Sequence, residues 1–333
     1  MSKTKNNLNN NLRMDKWYKI PERAAGVLRL EFLWLVYKLG DLRGLKIILY
    51  PIVLVITMFA KPARVASKEY RKVLYDYCKN HNIRVKKFSS FKHILSYAFS
   101  LADKMDAICN KNSSIKFKVV ENESYRKFNK NLNSKKGVFL ISSHLGNVEV
   151  FSAFKDRNNG EDNGEDNGED NGEDKFVGSL HALMEINEDS IFHKFIKKRA
   201  INKAFKLYST KRLDFEIIMT LYERLLAGDI LLMAGDRVSA KSPDKVITGK
   251  LLGRSCSFPK GTFEFAKRMK HLVFAILVLP CRSNTYKVLL EEIEFSNPLS
   301  DDLKYAVEQY TKFLEKNLLE NPKCWYNFYG YFR

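Results

Sequence analysis

The spacing of apolar positions divides the chain into a helical front third and a remainder in which strand and helix patterns alternate. From Trp17 to about Ala60, aromatic and aliphatic residues crowd together with interspersed Arg and Lys, and the most apolar stretch runs from Leu45 to Ala60. That stretch is shorter than the roughly twenty residues that span a bilayer, and it carries Lys46 and the helix-kinking Pro51. An interfacial or monotopic helix pair fits it best; a span lengthened by its flanks and a buried core helix are the alternatives. Trp17, Tyr18, Trp34, Tyr37 and Tyr50 suit an interfacial aromatic belt. Ser67 to Lys79 and Phe91 to Cys109 repeat with the 3.6-residue period of amphipathic helices, Ser67 serving as N-cap of the first.

After Ile115 the rhythm changes. Ile115 to Val120 alternates as a strand does, Glu121 to Asn131 reads as a helix, and Gly137 to Ser142 is a short continuous apolar run. Further strands are predicted over Lys175 to Ser179, Ile230 to Ala234, Leu272 to Leu279 and Tyr286 to Ile293. Helices are predicted over Ile191 to Phe205, Arg212 to Ala227, Pro259 to Lys270 and Asp301 to Leu319. This alternation predicts an α/β fold, a mixed and largely parallel sheet flanked by helices, behind an N-terminal helical region that associates with membrane. The expected organisation is a disordered tail over 1–16, the helical region over 17–110, and an α/β domain over 111–333. Within that domain the sequence Asn-Gly-Glu-Asp recurs four times from Asn159 to Asp174. A tract so polar and glycine-rich buries nothing, so it reads as a disordered insertion in a surface turn. Its acids lack the spacing of a calcium loop.

Charge narrows the partners. Lys and Arg number 57 against 38 Asp and Glu, a net +19. Eight of the acids lie in the repeat, so the rest of the chain is more basic still. Such a surface attracts nucleic acid, an anionic membrane or an acidic carrier protein. The five cysteines are scattered, with no C-x-x-C pair and no grouping with His at metal spacing, which fits a reduced compartment and implies no metal.

The chemistry concentrates in Ser142-Ser143-His144-Leu145-Gly146-Asn147-Val148-Glu149, directly after the apolar run Val138 to Ile141. A strand delivers a histidine to a loop, and a helix beginning near Gly146 or Asn147 would return Glu149 toward the imidazole, with Asn147 as its N-cap. His144 alone among the six histidines has an acid five residues on, but with 38 acids in 333 residues one such pair arises by chance about as often as not. On spacing alone, a hydrogen-bonded structural histidine at a strand end competes with a catalytic one.

The segment His144-Leu-Gly-Asn-Val-Glu149 resembles the His-x4-Asp/Glu block of the lysophospholipid acyltransferase superfamily, in a form similar to the bacterial late lipid A (lauroyl and myristoyl) acyltransferases. Gly235-Asp236-Arg237 after the strand Ile230 to Ala234, Leu252-Gly253-Arg254 with Phe258-Pro259-Lys260-Gly261, and Val278-Leu279-Pro280 resemble the later blocks in their order. Ala63 to Ser67 before a helix and Trp325 near the end also fit, whereas Lys260 stands where many relatives in the superfamily carry an acid or a small residue, and Arg237 where lipid A enzymes often carry a different polar residue, which turns the expected acceptor away from lipid A itself.

The resemblance implies an acyltransferase that moves a fatty acyl chain from a thioester onto a hydroxyl or amine of a lipid or glycolipid. His144 would be the general base and Glu149 the carboxylate that holds its tautomer. Backbone N–H groups around Gly146 to Val148 would receive the oxyanion, and Arg237 a phosphate. Asn147, Gly146, Asp236, Arg237, Phe258 and Gly261 are the expected substrate contacts. No cofactor is implied beyond acyl carrier protein or coenzyme A as carrier of the donor, and the expected place is the cytoplasmic face of the inner membrane, peripheral or monotopic. A nucleic-acid-binding module or a non-catalytic membrane protein is the alternative; the first lacks any RNA-binding aromatic signature, zinc knuckle or basic heptad. A serine hydrolase is disfavoured because Gly253-Arg-Ser-Cys-Ser257 lacks the second glycine of a nucleophile elbow.

Overall fold

A computed structural model describes residues 26–151, 179–185, 191–201, 205–210, 213–239, 242–282, 284–295 and 302–332. The tail with Trp17 and Tyr18, and the acidic repeat over 159–174, lie outside them.

The chain is an α/β protein. Three helices come first: α1 (Val27–Phe59), α2 (Lys61–Asn80) and α3 (Ser90–Cys109). Then follow β1 (Lys116–Val119), α4 (Glu123–Asn133), β2 (Val138–Ser142), β3 (Leu180–Met184), α5 (Ile191–Arg199), β4 (Phe205–Ser209), α6 (Phe215–Leu226) and β5 (Ile230–Ala234). A hairpin of β6 (Val246–Leu251) and β7 (Arg254–Pro259) leads into α7 (Lys260–Arg268), β8 (Leu272–Pro280), β9 (Thr285–Glu292) and α8 (Asp302–Glu320).

Seven strands form one sheet in the order β1-β9-β8-β2-β5-β3-β4. Only the β8–β9 pair is antiparallel; the other five neighbours run parallel. The central strand β2 is buried at every position, and β8 is buried from Val273 to Leu279, because both faces of a parallel sheet are covered. Their continuous apolar runs, without polar alternation, follow from that burial. One core cluster, with Phe139, Ile141, Phe258, Phe263, Tyr310 and Trp325, packs on one face, and a second, with Leu140, Phe128, Phe274, Ile276 and Tyr286, on the other.

Several boundaries differ from the sequence expectation. Helix α2 begins at Lys61 rather than Ser67, because Pro62 suits the first turn of a helix. Ser67 is instead buried inside it, with its hydroxyl 3.1 Å from His93 Nδ1. The helix expected over Ile191 to Phe205 stops at Arg199, and Phe205 opens strand β4. The strand expected over Lys175 to Ser179 falls, apart from Ser179, outside the described residues; β3 starts at Leu180. The β6–β7 hairpin was not expected. Its two turn residues, Leu252 (φ 50°) and Gly253 (φ 69°), both take the left-handed conformation that a tight two-residue hairpin turn demands.

Helix α1 bends at Asp41, whose φ of 53° and ψ of −167° break the helical path, and carries Pro51 beyond the bend. Its inner residues Leu30, Tyr37, Leu42, Leu45, Leu49 and Val53 are buried; the Tyr37 hydroxyl donates to Asp106 on α3 at 2.6 Å, and Lys46 pairs with Asp103 at 2.7 Å. The other side is bare. Leu28, Leu39 and Phe59 are 86%, 82% and 78% exposed, and Phe32, Leu35, Ile47, Leu54, Val55 and Met58 are exposed with them. By length and composition this is the one helix among the described residues that could cross a membrane.

His93 ties the helical region to the C-terminus. It is 1% exposed, and its Nε2–H donates to the Trp325 carbonyl at 2.7 Å, which leaves Nδ1 to accept from Ser67. Burial pushes its pKa down to about 4, with the nearby Arg71 charge adding to the shift and the Trp325 bond opposing it. The unfolded chain therefore takes up this proton near pH 6.5 and the folded protein only near pH 4. Stability is complete above pH 6.5 and falls as pH drops through this window, by about 3 kcal/mol at its foot. Urea unfolding between pH 7.5 and 4 measures it. His93→Gln should flatten that part of the profile, and an unchanged slope in the variant would contradict the assignment.

Candidate functional site

Two apolar strands end side by side. Ser142 of β2 pairs with Ala234 of β5, and two residues beyond each paired position stand His144 and Asp236. The parallel register thus brings an imidazole and a carboxylate together from positions 92 residues apart. Both lie at the carboxyl ends of the strands, where open α/β sheets hold their ligands.

The contacts leave little freedom. His144 Nδ1 is 2.8 Å from Asp236 Oδ1, and the His144 backbone N–H donates to Asp236 Oδ2 at 2.7 Å. Asn327 Nδ2 donates to the same Oδ2 at 3.1 Å. Asp236 is fully buried, its Oδ2 accepts two N–H groups and its pKa is held down, so it is ionised and the ring proton facing it sits on Nδ1. Burial alone would raise its pKa; the His144 charge and hydrogen bonds, with Arg237 beside them, outweigh this and hold it below the usual value. Nε2 of His144 is then the unprotonated, basic nitrogen. Burial lowers the His144 pKa, Arg237 lowers it further, and Asp236 and Glu149 work in the opposite direction. Its side chain keeps 27% of its surface open, so a reactant can reach the ring.

The carboxylate bonded to His144 is therefore that of Asp236, not Glu149. Glu149 lies on a single 3-10 turn, Val148–Val150, and pairs with Lys104 of α3 at 2.5 Å. The sequence pattern points to a partner on the same segment, whereas the sheet supplies it from the neighbouring strand. The available signal was two apolar five-residue runs, each followed two residues later by an ionisable side chain.

Two of the expected oxyanion donors are also engaged. Gly146 N–H donates to the Cys324 carbonyl and Asn147 N–H to the Val278 carbonyl, both at 2.8 Å. Asn147 does not cap the turn; its side chain is buried and donates to the Ser100 carbonyl at 2.7 Å, pinning the loop to α3. Gly146 has φ +87°, and a Cβ there would stand 2.3 Å from the Val278 carbonyl oxygen. Gly146→Ala should cost about 1–3 kcal/mol from backbone strain, more with the clash, and displace His144. Denaturant unfolding checks this, a loss under 0.5 kcal/mol (about a third of a tenfold shift) being the contrary result.

The remaining expected contacts separate into supports and bystanders. Phe258 is wholly buried against Tyr310 and Tyr331, so it is a core residue and not a substrate contact. Gly261 is exposed in the first turn of α7, with nothing near enough to require a glycine. Next to it, buried Thr262 donates to the Ala234 carbonyl at 2.8 Å and so steadies the strand end that carries Asp236. Arg237 turns toward the C-terminal tail: Nε donates to Asn327 Oδ1 at 2.8 Å and an η nitrogen to the Tyr326 carbonyl at 3.1 Å. Among the described residues, no three His, Cys, Asp or Glu side chains come together at metal distance.

An open cleft of about 410 Å³ is lined by Lys267, Lys270, His271, Leu272 and Glu292. Leu272 pairs with Val138 at the start of β2, so this cleft lies at the opposite end of the sheet from His144. It holds none of the chemistry described above.

No model of a known protein family matches the chain, and no curated protein matches it.

Proposed function

We propose that the protein is an acyltransferase of the membrane surface, using His144 as general base and Asp236 as the group that orients it. The observation that carries this reading is the pair itself: a partly open imidazole with its proton fixed on Nδ1 by a buried, fully hydrogen-bonded carboxylate. A neutral histidine so held takes protons at Nε2 and is stabilised as imidazolium by the charge behind it. In the reaction, Nε2 takes the proton of an acceptor hydroxyl or amine as that atom attacks the thioester carbonyl. The tetrahedral intermediate then expels the thiolate, which recovers the proton from His144. No acyl-enzyme is needed. The resemblance of the segments around His144, Asp236 and Phe258 to the lysophospholipid acyltransferase superfamily supports the reaction class.

The apolar outer face of α1 supports a lipid acceptor. α1 packs on α3, and α3 in turn holds the histidine loop through Ser100 and Lys104. Seating α1 in the headgroup layer of an anionic leaflet, with the chain's excess of Lys and Arg adding attraction, would bring the loop near lipid. The donor would ride on acyl carrier protein, favoured by the basic surface, or on coenzyme A.

The test is thiol release from an acyl thioester by purified full-length protein on vesicles made from total membrane lipid. Release that requires the lipid and is lost in His144→Ala is expected. Release at the uncatalysed rate with both carriers would overturn the proposal.

A further inference from the structure

The C-terminal tail is built into the site. Cys324 accepts from Gly146 N–H, Leu145 and Trp325 form an antiparallel bridge, and Tyr326 N–H donates to the His144 carbonyl at 2.9 Å. His144 is thus held at its backbone oxygen by the tail and at its backbone nitrogen by Asp236. The tail is anchored in turn by His93 on Trp325 and by the Tyr70 hydroxyl on the Pro322 carbonyl at 2.8 Å.

One tail side chain reaches the reactive pair. Asn327 is 2% exposed and lies between Arg237 and Asp236. Arg237 can only donate, so the amide atom 2.8 Å from its Nε is the oxygen, and the NH₂ end must face Asp236. The amide cannot be turned over without setting donor against donor and acceptor against acceptor. It therefore gives Asp236 a fixed third donor and holds Arg237 beside the pair.

We propose that Asn327 is a positioning residue of the His144–Asp236 pair, setting the basicity of His144 by supplying a donor to Asp236 and fixing Arg237. Its importance for turnover rests on the acyl-transfer reading, but its effect on the histidine does not. The charged groups around His144 are Asp236 and Arg237 from the end of β5, and Glu149, with Lys104 of α3 paired to it. Tyr329 of the tail lies under the Arg237 guanidinium. Removing the Asn327 donor leaves Asp236 more strongly negative toward the ring, and releasing Arg237 takes away a positive charge. Both changes raise the affinity of His144 for a proton.

The experiment is an NMR titration of full-length protein labelled with ¹⁵N-histidine, the His144 signal being the one lost in His144→Gln. Asn327→Leu should move the His144 midpoint up by about half a unit or more. Asn327→Ala, which removes the same donor to Asp236 and the same acceptor for Arg237 and adds no charge, should move it up by a similar amount. In both, kcat should fall about tenfold with KM within about twofold, the sign of an interaction used in the transition state. If Asn327→Leu fails to fold, the smaller Asn327→Ala still gives the answer. An unmoved His144 midpoint in a folded variant overturns the proposal whatever the activity. A moved midpoint in a protein that transfers no acyl group would uphold it and strike the functional reading instead.

Discussion

Asp236→Asn should lower turnover by about 10²- to 10⁴-fold, the upper figure being that of the equivalent change in Ser-His-Asp enzymes. The reason is tautomeric. Asp236 accepts from the His144 ring, the His144 backbone and Asn327. An asparagine offers one acceptor oxygen and must set its NH₂ against a donor. The imidazole can relieve the conflict by moving its proton to Nε2, where it no longer acts as a base. A buried donor left without an acceptor adds about 1–3 kcal/mol of destabilisation, visible as an earlier urea midpoint. Glu149→Gln removes a group paired with Lys104 and should cost far less. Steady-state rates with saturating donor decide the order; a larger loss in Glu149→Gln would assign the orienting role to Glu149.

His144→Ala should remove the general base, a loss of about 10²- to 10⁴-fold, while shifting the thermal midpoint by about 4 °C or less. The side chain is partly open and its backbone N–H stays on Asp236, so little packing is lost. The double variant His144→Ala/Asp236→Asn should be no slower than the worse single variant, since groups acting as a unit are not additive. Losses that multiply would mean the two side chains act separately.

Much of the fold was legible because buried parallel strands leave a coarse mark. Gly137 to Ser142 reads as an apolar run and Ile230 to Ala234 as a strand, and strands stand at Val138–Ser142 and Ile230–Ala234. Helices α3, α4 and α8 kept their periodicity because one face of each meets the core. Strands β6 and β7 were missed because Val246 to Pro259 alternates weakly and turns on Leu252, a residue type that rarely takes positive φ.

The sequence marks His144 and, on a separate segment, Asp236 as an expected substrate contact, but not that the two bond to each other. Register between β2 and β5, which brings Asp236 to His144, is a property of the sheet and not of either segment. Asn327 carried no local signal at all; it matters only because the tail folds back onto Leu145. Asn147 and Gly146 read in the sequence as substrate contacts, Asn147 also as an N-cap, and the structure gives them another part. Their polar groups go to Ser100, Cys324 and Val278, and hold the loop shape.

The most direct test of acyl transfer by His144 is mass spectrometry of total membrane lipids from cells producing equal amounts of the wild-type protein or His144→Ala. Acyl transfer by His144 predicts one lipid class that differs by a single acyl chain, present with the wild type and missing with the variant. Identical lipid profiles, with both proteins folded and at the membrane, would contradict it.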